Sequence, residues 1–210
     1  MNNIEFEKFD DGFILLRNFL TKEEQIEISN ISLQLEDKFV HINRNRYRIY
    51  DAVHKYPRND YLLNIVSKIL KTAIELDNTL NEYKDLSTHL LFLRYFDNSS
   101  LGFHRDDDEN DGCGLNPVIS LSIGNSCRFT YKNDGDDKKN HIKLNNGDVL
   151  LFGGKSRYIL HSVSKCYKNS PDYIKNIIGN NRLNLTFRYA PNIIGREFEF
   201  RSIDNYADKK

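Results

Sequence analysis

The chain has 210 residues, with 30 basic residues balancing 30 acidic ones and 39% hydrophobic content. That length supports one substantial core and leaves little room for a second domain. The zero balance excludes a chain coated with positive charge for nucleic acid, though not a local patch, and no apolar run approaches the ~20 residues of a membrane helix.

The start, Met-Asn-Asn-Ile-Glu-Phe-Glu-Lys, has no basic region followed by an apolar one, so no secretory signal is expected. Three widely spaced cysteines, Cys113, Cys127 and Cys166, form neither a disulfide framework nor a zinc pattern. They point to a reducing, intracellular compartment, cytoplasm or nucleus.

In chain order, Thr21-Lys-Glu-Glu is a capping box and predicts a helix over 21–37, with Ile28, Ile31 and Leu35 along one stripe. Segment 40–50 reads as extended. It opens a basic stretch, 42–58, with five Lys or Arg against the single acid Asp51 and with Tyr47, Tyr50 and Tyr56 interleaved. Arg44, Arg46 and Arg48 would line one face of a strand. Arginine on phosphate and tyrosine under bases are the ingredients of single-strand binding. A solvated ribbon with a charged edge is the competing reading. Leu62, Leu63, Val66, Ile69, Leu70, Ala73 and Ile74 predict a second helix over 60–80.

From residue 88 the pattern turns to strands: 89–96, 101–106, 117–123, 127–132, 141–145, 148–152, 157–163 and 182–190. Asn145-Asn-Gly-Asp marks a turn, and 166–181 is a long loop with room for one helical turn. Helices followed by about eight strands predict an α+β fold, a double-stranded β-helix (jelly roll) backed by N-terminal helices. The expected division is one domain: 1–87 as helical support and lid, 88–192 as the core, and 193–210 as a tail.

Two constellations carry chemistry. Arg182, Asn184, Thr186 and Arg188 alternate with Leu183, Leu185 and Phe187. On a strand, one face is apolar and the other presents two guanidinium groups. Buried arginines need partners, and each fork suits a carboxylate, so a bound dianion is implied. Upstream, His104 and Asp106 sit two apart and share a strand face. With a distant histidine they complete the two-His, one-carboxylate set of non-haem iron oxygenases, and His161, after Gly153-Gly154, is the candidate. Alone, His-x-Asp is more often structural. The acidic run from Asp107 resembles a calcium loop but has Val118 where the bidentate Glu belongs. His41, His54, His89 and His141 sit in no motif and read as ordinary polar or surface histidines.

Taken together, Arg94-Tyr95, Leu101-Gly-Phe-His-Arg-Asp-Asp-Asp-Glu, Pro117-Val-Ile-Ser-Leu-Ser-Ile-Gly, Gly147-Asp-Val-Leu-Leu-Phe-Gly-Gly-Lys-Ser-Arg, His161 and the Arg-x-Asn-x-Thr-x-Arg strand resemble, in order, the catalytic core of the AlkB family of Fe(II)/2-oxoglutarate dioxygenases. The resemblance covers roughly half the chain. It implies that His104, Asp106 and His161 hold Fe(II), and that Arg182, helped by Asn184 and Tyr95, pairs with the distal carboxylate of 2-oxoglutarate. Arg188 would lie near the carboxylate that chelates the metal. With O2 as co-substrate, the implied reaction is oxidative demethylation of N-alkylated bases, releasing succinate, CO2 and formaldehyde. The implied partner is single-stranded or base-flipped nucleic acid, bound by a monomer.

Asp108 matches a family position near the target base, and Phe152 and a lid tyrosine are candidates to clamp it in a chain with no Trp. The basic segment with Arg44, Arg46, Tyr47 and Arg48 falls where the family carries its substrate lid. One departure stands out: where the family often has a cofactor-contacting Asn, this chain has Leu93. The same fold also suits a hydroxylase or demethylase of a protein side chain or small molecule, or a non-catalytic binding module.

Overall fold

The computed structural model describes residues 4–36, 39–42, 46–51, 59–80, 88–97, 99–106, 114–132 and 135–189. Asp108, Arg44 and the tail 193–210 lie outside these residues. So do the side chains of Arg46, Tyr47 and Arg48.

Thr21 starts the first helix as its sequence predicts. Its hydroxyl accepts from Glu24 N (3.2 Å) while the Glu24 carboxylate accepts from Thr21 N (2.8 Å). These bonds satisfy two N–H groups that a helix end otherwise leaves open. Helix α1, Lys22–Gln34, buries Ile28 and Ile31. Helix α2, Asp60–Leu76, is capped by Asn59 and buries Leu62, Leu63, Val66, Ile69, Leu70 and Ala73. Helix α3, Asp172–Ile178, fills the loop where a single turn was expected, and buries Ile174 and Ile178. None of these helices is long and apolar enough to cross a membrane.

The strands are β1 (Phe6–Asp10), β2 (Phe13–Leu16), β3 (Val40–Ile42), β4 (Arg46–Asp51), β5 (Thr88–Tyr95), β6 (Leu101–His104), β7 (Val118–Gly124), β8 (Cys127–Lys132), β9 (Asn140–Leu144), β10 (Val149–Phe152), β11 (Leu160–Cys166) and β12 (Arg182–Tyr189). They form an eight-stranded sheet, β1-β2-β10-β7-β12-β5-β4-β3, and a four-stranded sheet, β6-β11-β8-β9. This is the expected α+β jelly roll. The pairs are antiparallel.

Alternation along the large sheet builds two cores. Its outer face offers Ile14, Leu16, Phe92, Leu121, Leu151, Leu183, Leu185 and Phe187 to Ile28, Leu70 and Ile174 of the helices. Its inner face offers Phe13, Leu15, Leu91, Leu93, Val118, Leu150 and Phe152 to Phe129, Ile142, Leu144 and Val163 of the small sheet. Each such side chain, fully buried, contributes about 1.5–3 kcal/mol of transfer free energy. The polar residues of β12 therefore point between the sheets while its apolar residues hold the helices.

Three expectations need correction. Strand β6 stops at His104, so Asp106 lies beyond it in a bend rather than on the strand. Segment 157–163 is not one strand: a 3-10 turn covers Gly154–Ser156, and β11 begins at Leu160. The N-terminal hairpin β1–β2 was not anticipated. Its strand β2 pairs with β10 inside the large sheet.

Candidate metal centre

His104 and His161 come together because β6 and β11 pair with these two residues in register. Their ring centroids lie 4.3 Å apart. Asp106 follows the bend after β6, with its Oδ1 3.8 Å from His104 Nε2 and its Oδ2 3.9 Å from His161 Nε2. One ligand atom from each of the three lies within 4.8 Å of the others. That spacing lets one ion touch all three.

The donor chemistry fits a cation. His104 Nδ1 lies 2.9 Å from Gly102 O and His161 Nδ1 lies 3.0 Å from Ile159 O. A carbonyl can only accept, so each Nδ1 carries the proton and each Nε2 presents its lone pair inward. Burial pushes Asp106 up, but Arg188 foremost, then His161, His104 and Arg157, outweigh it and hold the carboxyl at about 2. Burial lowers His161 to about 4, opposed by Asp106. At neutral pH the set is therefore a carboxylate with a neutral, buried His161, ready to ligate.

The polar face of β12 carries the buried arginines. Arg182 sits opposite Tyr95 on β5 and opposite Gly124 on β7. It is 1% exposed, and its Nε and Nη1 have no hydrogen-bond partner among the described residues. Ser122 Oγ, opposite Asn184, is equally buried and equally unpartnered. A guanidinium left so is costly, and a bound carboxylate would satisfy it. The cradle therefore fits 2-oxoglutarate. Asn184 is already engaged: its Nδ2 donates to Ser120 Oγ (2.7 Å) and to Leu121 O (2.9 Å), and its Oδ1 accepts from Thr186 Oγ1 (3.1 Å). Arg188 Nη2 donates to Asp106 Oδ1 at 2.7 Å. Leu93 lies opposite Asn184 as part of the inner apolar core. Phe152 borders the centre, its ring 5.2 Å from that of His161.

Strand β4 of the basic segment pairs with β5, placing Arg46 opposite Tyr95 and Arg48 opposite Leu93. The segment thus extends the sheet that carries the cofactor cradle.

Two buried residues escaped the sequence pattern. His89 is 2% exposed and sits opposite Arg188, so the surface reading of it is overturned. Arg157 is 1% exposed, and its Nη1 donates to the main-chain oxygen of Asp106 at 2.6 Å. Its place directly after Gly-Gly-Lys-Ser was the available signal. His141 is exposed as expected and contacts Thr130 through Nδ1 (2.9 Å).

A jelly roll whose paired sheets bring together two histidines and a carboxylate, with a buried, unpartnered arginine on the strand that braces the carboxylate, defines a non-haem iron oxygenase centre. The sequence model of the 2OG-Fe(II) oxygenase superfamily matches residues 40–188, and the chain belongs to that superfamily, among its AlkB-type members. It is 28% identical to the DNA N(6)-methyladenine demethylase ALKBH1D of Arabidopsis thaliana, over 85% of this chain and 49% of that protein. It is 32% identical to the alpha-ketoglutarate-dependent dioxygenase AlkB of Salmonella typhimurium, over 48% of this chain and 44% of that one. The structure of OsALKBH1 superimposes with a TM-score of 0.74 at 25% identity, covering 88% of this chain and 99% of that one. The chain spans about half the length, or less, of the curated relatives it matches.

Proposed function

We propose that this chain is one catalytic domain that removes N-linked methyl groups from nucleobases in DNA or RNA, using Fe(II), 2-oxoglutarate and O2. It works as an intracellular monomer. The observation that carries the reading is the convergence of His104, Asp106 and His161, with the unsatisfied Arg182 on the same strand as Arg188, which bonds to Asp106. The relatives' names supply the substrate class: a DNA N(6)-methyladenine demethylase and, in Schizosaccharomyces pombe, a tRNA demethylase. The buried thiols Cys127 and Cys166, adjacent in register yet not joined, suit a reducing compartment.

Bound iron and 2-oxoglutarate together supply oxygen insertion into a C–H bond, with succinate and CO2 as co-products. The chain supplies position and dryness. His104, Asp106 and His161 would hold the metal. Arg182, with Tyr95 and Asn184 beside it, fixes the distal carboxylate of 2-oxoglutarate. Arg188 braces Asp106 and would also donate to the other carboxylate of 2-oxoglutarate. Phe152, packed in the inner core against His161, would border a base brought to the centre, which leaves its stack at a cost of a few kcal/mol. Asp108 reads the base, and Arg44, Arg46, Tyr47 and Arg48 hold the strand. A hydroxylated N-methyl group then collapses to formaldehyde and the free base.

The test is incubation with Fe(II), 2-oxoglutarate and oligonucleotides carrying 1-methyladenine, 3-methylcytosine or N6-methyladenine. Formaldehyde and restored base are expected, and Asp108→Ala should lower base turnover while sparing uncoupled succinate formation. Succinate formation without loss of methyl from any of these bases would overturn the reading. A gain of oxygen on a peptide or small molecule would replace it with the hydroxylase alternative.

A further inference from the structure

The outer face of the small sheet is a second charged surface, separate from the metal centre. Its four strands carry Arg128, Lys132, Lys143 and Lys165 and no Asp or Glu, in a chain whose acids and bases balance. Register places these cations on the face opposite the core. Cys127, Phe129 and Cys166 point inward, so Arg128 and Lys165 point out, a bulge between Val163 and Lys165 having shifted the alternation on β11. Lys143 and Lys165 sit directly opposite Arg128 on its two neighbouring strands. All three are exposed.

Three like charges on one rung, with strands about 4.8 Å apart, repel one another. None of the three has an ion pair with a carboxylate among the described residues; Arg128 Nε donates only to Ser164 Oγ, at 2.9 Å. The Tyr167 ring lies 5.8 Å from Lys143 Nζ and 5.1 Å from Lys165 Nζ. Further along, Phe103 is 39% exposed, with Lys132 and Lys139 over its ring at 5.9 and 5.6 Å. The segment between β8 and β9 carries Asp134, Asp136 and Asp137, of which Asp136 accepts from Lys138 N, and Glu7 is taken up by Arg17, which also donates to Lys143 O. Lys168 is paired with Asp97 at 2.6 Å and stands outside the set.

We propose that this face binds the phosphate backbone of a single-stranded nucleic acid, with the Lys143–Arg128–Lys165 rung on successive phosphates and Phe103 under a base. Repelling cations are relieved by a polyanion, and aromatic rings set among cations suit unpaired bases. Strand β6 is the edge of the small sheet, and on it Phe103 faces out while the next residue, His104, faces the metal. A strand tracking the outer face reaches the centre by turning over that edge. The proposal rests on the nucleic-acid reading of function but is tested by binding alone.

The experiment measures fluorescence anisotropy of a labelled, unmethylated oligodeoxythymidine against NaCl, for the wild type and the triple variant Arg128→Gln, Lys143→Gln, Lys165→Gln. Losing three contacts to a single strand should flatten the slope of log affinity against log salt by about 2. The helix-side control Lys22→Gln, Lys71→Gln, Lys175→Gln should leave the slope unchanged. At low salt the triple variant should melt no lower than the wild type, since repulsion is removed; Lys143→Gln alone should give about a third of the effect. An unchanged slope in the triple variant overturns the proposal. So does the absence of oligonucleotide binding by the wild type, or binding to phosphatidylserine vesicles in its place. A rung-dependent slope in a protein that demethylates no base would uphold this surface and sink the functional reading.

Discussion

Arg188 on β12 donates to Oδ1 of Asp106, a residue 82 positions earlier in the chain, at 2.7 Å. Of all the influences holding the Asp106 carboxyl down, this guanidinium is the largest. Arg157 grips the same residue from its other end, through the main-chain oxygen. Asp106 is thus clamped by two buried arginines that need not touch the metal. Partners of metal ligands typically govern affinity by 10–100-fold. Arg188→Gln should therefore weaken Mn(II) binding by about that factor, with Arg188→Lys restoring part of it, read by titration calorimetry without oxygen. Equal affinity in wild type and Arg188→Gln would mean that Asp106 is positioned by its backbone alone.

Arg182 presents the opposite case, a buried cation with open valences. A charge-assisted hydrogen bond contributes about 1.5–3 kcal/mol, so Arg182→Met should weaken 2-oxoglutarate binding by about 100-fold. Without cofactor the same variant should be more stable, because an unpaired internal charge has been replaced by an apolar chain of similar length. Each kcal/mol corresponds to about 2–4 °C in a domain of this size. The expected pattern in thermal scans is a higher melting temperature alone and a lost rise on adding 2-oxoglutarate with Mn(II). A variant that melts lower in both conditions would show that Arg182 is satisfied by the protein itself.

The same strand shows what a sequence can and cannot reveal. Alternation over Arg182–Tyr189 identified both its faces, since period two needs no knowledge of neighbours. Helix α1 was legible from its capping box and stripe and α2 from its stripe, whereas α3 lay in a segment read as a loop with room for one turn. Phe13-Ile-Leu-Leu was not, because a short unbroken apolar run carries no periodicity and both its faces are covered. His89 and Arg157 look like surface residues until β12 and the Asp106 bend close over them. Their burial is a property of partners far away in sequence. Asp106 was identified correctly as a candidate ligand but on the wrong backbone, because the spacing of His-x-Asp does not say where a strand ends.

Gly124 makes the turn that delivers Arg182 opposite it. Its φ is +84°, and a Cβ there would lie 2.3 Å from the Asn181 carbonyl oxygen. Neither the backbone angle nor the space tolerates a side chain. Gly124→Ala should cost at least about 2 kcal/mol, seen as a lower urea midpoint. Because the displaced oxygen belongs to the residue before Arg182, 2-oxoglutarate affinity should fall as well. Intact cofactor binding in a destabilised variant would show that β12 absorbs the shift at Asn181.

Asp77 links the N-terminal hairpin to the rim of the site. Its Oδ2 accepts from Gly12 N at 2.9 Å and meets Lys8 Nζ at 3.2 Å, while its Oδ1 accepts from Thr79 N at 3.1 Å and from Thr79 Oγ1 at 2.6 Å. Gly12 O in turn accepts from Gly153 N at 2.8 Å, just before the turn that sets Arg157. Burial raises the Asp77 carboxyl, but the bonds from Thr79, Gly12 and Lys8 prevail and leave it below its ordinary value of 3.8. A depressed carboxyl stabilises the fold fully above its unfolded value, and that contribution vanishes as pH falls through the lowered folded value. Asp77→Asn should therefore cost about 1–3 kcal/mol near pH 7. The gap in urea midpoint between wild type and variant should persist down to about pH 5 and close as pH drops below about 4. A gap of the same size at pH 3 and pH 7 would locate the loss in the shape of the turn, and the charge on Asp77 would then contribute nothing to holding Gly12 against Gly153.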